Sequence, residues 1–262
     1  MLSLCRCHNR QHRIIVIRFG LKELVQTARD ILFPLRCLDC GAGLPARREV
    51  SFCDICLQNV RLIHEPFCTI CGTPFDKAAG ESHRCGVCLK KSWHFMQARA
   101  VVRYEGAIAE ALKSFKYRGK THGLATFAAF AEDYFRRYPR PLPDFILPVP
   151  LHQERLRRRG FNQALVLGRK IFPQEKKRIN PFILERSLKT LPQTGLSSSE
   201  RKRNVRNAFT LKDPEIIRNK KILLVDDVFT TGATVNECAR ILLSNQAAEV
   251  EIFTFARAVV SG

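Results

Sequence analysis

Eight of the chain's eleven cysteines fall into four Cys-x-x-Cys pairs: Cys37/Cys40, Cys53/Cys56, Cys68/Cys71 and Cys85/Cys88. The pairs are separated by twelve, eleven and thirteen residues. Two thiolates two residues apart form a knuckle that grips a metal ion, and two knuckles complete a tetrahedral S4 shell suited to Zn2+. Four pairs therefore predict two structural zinc ions. Spacing allows sequential pairing (37/40 with 53/56, 68/71 with 85/88) and also a cross-braced one. A redox-active Cys-x-x-Cys is expected once, at a helix start, rather than four times. Iron–sulfur ligation shares the S4 geometry and stays open as an alternative. His64 and His83 lie near enough in sequence to replace a cysteine ligand. Cys238 falls on an apolar helical stripe and reads as a core residue, while Cys5 and Cys7 read as unliganded.

The second chemical cluster is the segment 222–234, ILLVDDVFTTGAT. A continuous apolar run, as in a strand buried on both faces, ends in Asp226 and Asp227. Thr230, Thr231, Gly232, Ala233 and Thr234 follow, and then an apolar-periodic stretch that reads as a helix. Ligands of open α/β sheets sit at the carboxyl ends of strands. A helix N-terminus offers free N–H groups and a favourable dipole to a phosphate. Gly232 lets the backbone approach closely, and the threonine hydroxyls add donors. The carboxylates can accept from ribose 2- and 3-hydroxyls, directly or beside Mg2+. The segment thus suits a ribose 5-phosphate. Asp and Thr are also ordinary helix caps, but caps alone do not require two adjacent acids behind a buried strand. A Walker loop is excluded, since Gly-x-x-x-x-Gly-Lys-Ser/Thr is absent.

These clusters need a scaffold to position them. The 262 residues suffice for one α/β domain plus a smaller module, and 45% hydrophobic content supports a packed core. The formal charge of +20 favours polyanionic partners such as nucleic acid, phosphorylated small molecules or an anionic surface. Residues 1–20 read as a basic tail without a defensible period. Its apolar run at 14–19 is short and interrupted by Arg18, so neither a membrane span nor an export signal is expected. The expected setting is the cytoplasm, where paired cysteines mean metal more often than disulfides. Residues 21–33 place Leu21, Leu24, Val25, Ala28, Ile31 and Leu32 on one helical face, stopped by Pro34. The cysteine-rich region then has no long periodic segment, which fits a fold nucleated by metal. The expected units are therefore 1–20, 21–96 (helix plus double zinc ribbon) and 97–262.

In the last unit, strands are expected at 98–104, 145–149, 182–184, 221–225 and 250–256. Helices are expected at 107–116, 124–137, 161–171 and 233–245. Strands alternating with helices predict a parallel sheet with helices on both faces. Between 155 and 206, fifteen Lys or Arg face three Asp or Glu. Such a run reads as a phosphate or nucleic-acid contact before it reads as a merely solvated helix face. Phe161, Phe172, Phe182 and Phe209 could stack on bases, but apolar periodicity explains each better as core.

The 222–234 segment resembles the signature of type I phosphoribosyltransferases, which bind 5-phosphoribosyl-1-pyrophosphate (PRPP). Pro148-Val149-Pro150-Leu151, Arg155, Arg159-Gly160-Phe161-Asn162-Gln163, Arg186, Gln193, Glu200-Arg201, Asn204-Val205 and Ala208-Phe209 narrow the resemblance to the ComF family, which includes competence protein ComFC and GntX-type relatives. That family also carries N-terminal Cys-x-x-Cys pairs, and the likeness spans about 30–257. The resemblance implies a type I phosphoribosyltransferase-like sheet behind a double zinc ribbon. It implies that Asp226, Asp227 and 230–234 hold PRPP with Mg2+. It implies that Pro150, Arg155, Arg159 and Arg186 face the pyrophosphate, and that 189–207, with Gln193, Arg201 and Asn204, forms a lid over the site. Guanidinium forks match phosphate oxygens. The family's role in DNA uptake implies single-stranded DNA or another polyanion, and competence-machinery proteins, as partners. Two other readings follow: an active Mg2+-dependent phosphoribosyltransferase of nucleotide metabolism, and a non-catalytic factor that binds single-stranded DNA. No residue identifies an acceptor for the first.

Overall fold

The computed structural model describes residues 35–45, 50–75, 80–119, 121, 123–188 and 198–259. The expected basic tail and the 21–33 helix lie outside these residues. Four parallel strands form the central sheet: β1 (Ala98–Arg103), β2 (Phe145–Pro148), β5 (Lys221–Phe229) and β6 (Glu249–Arg257). Their order is β1-β6-β5-β2, with every pair parallel. β3 (Leu184–Arg186) and β4 (Phe209–Leu211) make a separate antiparallel pair.

The helices are α1 (Asp54–Gln58), α2 (Gly86–Lys90), α3 (Gly106–Arg118), α4 (Leu124–Arg137), α5 (Gln153–Arg159), α6 (Gln163–Ile171), α7 (Ser198–Val205) and α8 (Ala233–Ser244). Alternation along the strands sends residues to opposite faces. Ile222, Leu224, Val250 and Ile252 therefore pack with Val235, Cys238, Ala239 and Leu242 of α8. Leu223, Val225, Phe253 and Phe255 pack with Ile108, Leu112 and Phe115 of α3, Phe127 of α4 and Leu167 of α6. Cys238 is fully buried in the first of these layers, as its stripe predicts.

Three expectations are corrected. The strand expected at 182–184 begins at Leu184 and does not join the parallel sheet. The position beside β2 goes to Ile179, which bridges Ile146 in parallel. Pro181, without an N–H, cannot continue that ladder, so the chain leaves the sheet there. Phe182 is 71% exposed rather than core, whereas Phe172 and Phe209 are buried and Phe161 packs on Phe115 at 5.4 Å. The strand expected to stop at Val225 runs on to Phe229, so Asp226 and Asp227 are strand residues and not loop residues.

The cysteine module is built into this core. Residues 61–63 run antiparallel to β1: Ile63 N donates to Val101 O at 2.8 Å and Arg103 N to Arg61 O at 2.9 Å. This covers an edge that would otherwise offer unpaired backbone groups. Cys37 and Cys56 pack into the layer with α3, α4 and α6, and Cys68, Cys71 and Cys88 into the layer with α8. The two thiolate clusters thus sit on opposite faces of one sheet.

Candidate functional site

Cys37, Cys40, Cys53 and Cys56 form one group whose sulfurs all lie within 4.8 Å of one another, and Cys68, Cys71, Cys85 and Cys88 form another. The pairing is sequential; the cross-braced alternative is overturned. Cys40 and Cys53 Sγ are 3.7 Å apart, as are Cys71 and Cys85 Sγ. A tetrahedron with Zn–S bonds of about 2.3 Å has edges of about 3.8 Å, so the donor set fits the ion. Backbone N–H groups of Cys53 and Cys85 point at Cys37 Sγ (3.4 Å) and Cys68 Sγ (3.3 Å), stabilising thiolate. His83 stacks on Phe75, centroids 4.4 Å apart, and His64 contacts Arg137, so neither histidine belongs to a cluster.

At the carboxyl ends of β2 and β5 lies a pocket of about 190 Å3. Its walls bring together Asp226, Asp227 and Thr234 with Pro150, Arg155, Arg158, Arg159 and Arg186. Residues distant in sequence meet here for local reasons. His152 caps α5, which Gly160 ends at φ +80°, and the helical turn aims Arg155, Arg158 and Arg159 inward. Sequence reading left this helix out. Asn162 caps α6, accepting from Ala164 N at 2.9 Å, and donates to Val149 O at 3.1 Å, which anchors the turn after β2. Arg186 is buried, with its guanidinium 5.3 Å from the Phe209 ring centroid.

Lys116 and Tyr117 complete the walls. Lys116 Nζ lies 2.5 Å from Asp227 Oδ2. Sequence reasoning missed it, since nothing near Lys116 marks it; only the packing of α3 on the sheet carries it to the acids. Burial draws the Lys116 ammonium down, but Asp227 and then Asp226 outweigh that and raise it. Asp226 is pushed up to about 8, by burial first and by the Asp227 charge second. Burial and then Arg159 and Arg158 lower Arg155, while burial and then Arg155 lower Arg186. Five cationic side chains thus crowd around two acids, and an anion entering the pocket relieves their mutual repulsion.

The loop after β5 stands between this pocket and a second cavity. Thr234 faces the pocket, whereas Thr231 and Ala233 line a groove of about 1000 Å3 together with Lys90, Lys91, His94, Arg206 and Arg240. Gly232 caps α8 at φ +71°. A Cβ there would stand 2.8 Å from Trp93 Cζ3 and closer still to Phe229. Gly232→Ala is therefore expected to cost about 2–3 kcal/mol of stability from left-handed strain plus overlap. Chemical denaturation of both forms would measure it; equal midpoints would contradict the packing. Thr230 is half-buried at the start of the loop. Asn204 is half-buried on α7, which packs against α8, and it is not among the residues lining the pocket. Arg201 lies on the same helix, and Gln193 falls outside the described residues.

Comparison with known proteins agrees with this geometry. A "Double zinc ribbon domain" profile matches residues 28–89, and a "Phosphoribosyl transferase domain" profile matches 183–260. Competence protein F of Haemophilus influenzae is 30% identical over 234 residues, 86% of this chain and 98% of that protein. "DNA utilization protein YhgH" of Escherichia coli O6:H1 is 33% identical over 212 residues, covering 79% and 90% of the two chains. Competence protein ComFC of Bacillus subtilis is 31% identical over 216 residues, covering 80% and 85%.

Proposed function

This chain belongs to the ComF family, and on that premise we propose that it binds PRPP with Mg2+ at Asp226, Asp227 and 230–234 and handles DNA during uptake. The observation that carries PRPP is the pocket itself: two adjacent acids, five cations and Thr234 from the first turn of α8 at one strand end. Asp226 and Asp227 would hold the ribose hydroxyls and Mg2+. Arg155, Arg159 and Arg186, beside Pro150, would meet the pyrophosphate, whose charge and fork geometry they match. Mg2+ would neutralise the pyrophosphate. Gln193, Arg201 and Asn204 would act from the lid. Calorimetric titration with PRPP in the presence and absence of Mg2+ tests this; no heat beyond dilution in either case would reject it.

The relatives' names refer to competence and DNA utilization, and the net charge of +20 supports a polyanion partner here. We place single-stranded DNA along the groove edged by Lys90, Lys91, Arg206 and Arg240, next to the phosphate loop. Competence-machinery proteins would hand the strand over in the cytoplasm, where the eight thiols stay reduced. Among the described residues, no helix is long and apolar enough to cross a membrane. Affinity for a single strand should fall as salt rises, each neutralised phosphate contributing about 0.7 to the log–log slope. Changing Lys90 and Arg206 to Ala should lower that slope by about 1.4. A flat salt response in the unaltered protein would remove the DNA reading.

A further inference from the structure

The second cysteine cluster touches the phosphate loop by two separate routes. Along the first, Trp93 Nε1 donates to Cys88 Sγ at 3.2 Å, and the same indole closes the space above Gly232. Along the second, Arg257 Nη2 lies 3.3 Å from Cys71 Sγ, and its guanidinium sits 4.3 Å over the Phe229 ring. Phe229 is the last residue of β5 and the other wall against Gly232. Arg257 is buried and is anchored by Thr73 Oγ1, which accepts from its Nε at 3.0 Å. Trp93, Phe95 and Phe229 pack as one aromatic cluster, with centroids 5.0–6.2 Å apart. His94 N also donates to Asn236 Oδ1, on the first turns of α8, at 2.8 Å. Among the described residues, the first cysteine cluster has no such connection; it packs on the opposite face of the sheet.

We infer that Trp93 and Arg257 are positioning residues that couple zinc at Cys68, Cys71, Cys85 and Cys88 to the conformation of the 230–234 loop. With the thiolates drawn onto the ion, the indole N–H and the guanidinium are held at fixed points. The two aromatic walls then keep Gly232 in its left-handed turn, with the α8 N-terminus open to phosphate. Losing the ion frees both walls. By linkage, a phosphate ligand on the loop must tighten zinc binding at this site by the same factor that zinc improves phosphate binding. The first site stays outside this coupling. The ligand half of the inference rests on the PRPP reading; the zinc-to-loop half does not.

The test uses the full zinc-loaded chain. Trp93→Phe keeps the ligands and most of the ring volume but deletes the N–H···S bond. Zinc transfer to a chromophoric chelator should show one of two phases accelerated by about threefold or more. Amide exchange across 229–236 should rise, with 124–137 on the other face unchanged. Ordinary zinc release and unaltered loop exchange in Trp93→Phe would overturn the coupling. In the unaltered protein, PRPP shown bound by calorimetry should raise zinc affinity at one of the two sites by about fivefold or more in equilibrium competition with the chelator, the lower end of typical coupling. Bound PRPP that leaves both zinc affinities unchanged, or raises both equally, would also overturn it. If calorimetry finds no PRPP binding, the functional reading fails, and the Trp93→Phe arm still decides the coupling. Trp93 is the sole tryptophan, so its emission follows the same junction without a label.

Discussion

Asp226→Asn and Asp227→Asn should weaken PRPP binding alike and move stability in opposite directions. At pH 8 and above, where Asp226 has given up its proton, each change removes a charged acceptor, worth about 1.5–3 kcal/mol when it is hydrogen-bonded, or roughly 10- to 100-fold in affinity. Their neighbours decide the stability. Asp226 is held up to about 8 by burial and then by Asp227. Its native carboxyl therefore keeps a proton that the unfolded chain releases, and stability drains away as pH rises between the ordinary carboxylate range and about 8. Asn at 226 ends that loss and should raise Tm by about 2–4 °C at pH 8, with a smaller gain at pH 5. Asp227, by contrast, is the partner of Lys116, whose side chain keeps 21% of its exposure. Removing that carboxylate leaves a mostly buried ammonium without its ion-pair partner. After allowance for partial solvation the cost is about 2 kcal/mol, and Tm should fall by several degrees. Mg2+-dependent binding in the unaltered protein should strengthen from pH 6 to 8 as Asp226 gives up its proton, and Asp226→Asn should flatten that rise. Calorimetry and thermal melts across pH measure all of this. Unchanged PRPP affinity in both variants would mean that the pocket has been misassigned.

The contrast between these two acids shows where sequence reading stops. The strand–loop–helix junction at 222–234 was legible because its parts are contiguous: a buried strand, acids, threonines and a glycine at the spot where φ must be positive. The zinc ligands were legible because Cys-x-x-Cys spacing is itself the geometry of a knuckle. Lys116 was not legible, because it is set by the docking of α3 on the sheet, 111 residues before its partner. Pairing of the knuckles also needed three dimensions, since both schemes satisfy the same spacing. β3 was misplaced for a related reason. An apolar run followed by a charge reads as a strand, but whether it joins the main sheet depends on Ile179 having already taken the edge. α5 escaped notice because its seven residues, QERLRRR, include a single apolar one and show no stripe. Arg155, Arg158 and Arg159 line the pocket beside the two acids, an electrostatic arrangement that no apolar stripe announces.

Removing both zinc ions should bring down the whole described fold rather than a terminal module. Structural zinc in small domains contributes about 10–16 kcal/mol of apparent binding energy, comparable with or larger than the 5–15 kcal/mol that holds an ordinary domain together. A bead on a string would confine that loss to itself. Here Cys37 and Cys56 belong to the layer under α3, α4 and α6, while Cys68, Cys71 and Cys88 belong to the layer with α8. Residues 61–63 also cover the free edge of β1. Without the ions, the buried thiolates must protonate or repel one another, both layers lose packing, and β1 presents its edge to other chains. Chelation at neutral pH should therefore lower Tm by about 20 °C or more, with helix and strand signals lost together and aggregation following. Elemental analysis of the untreated chain should find close to two zinc per molecule and little iron. Cys56→Ser and Cys88→Ser should each lose one ion and each destabilise the sheet, since the two sites brace opposite faces. A melt in which the 97–259 region keeps its transition after both ions are gone would show that the shared core is not what holds this chain together.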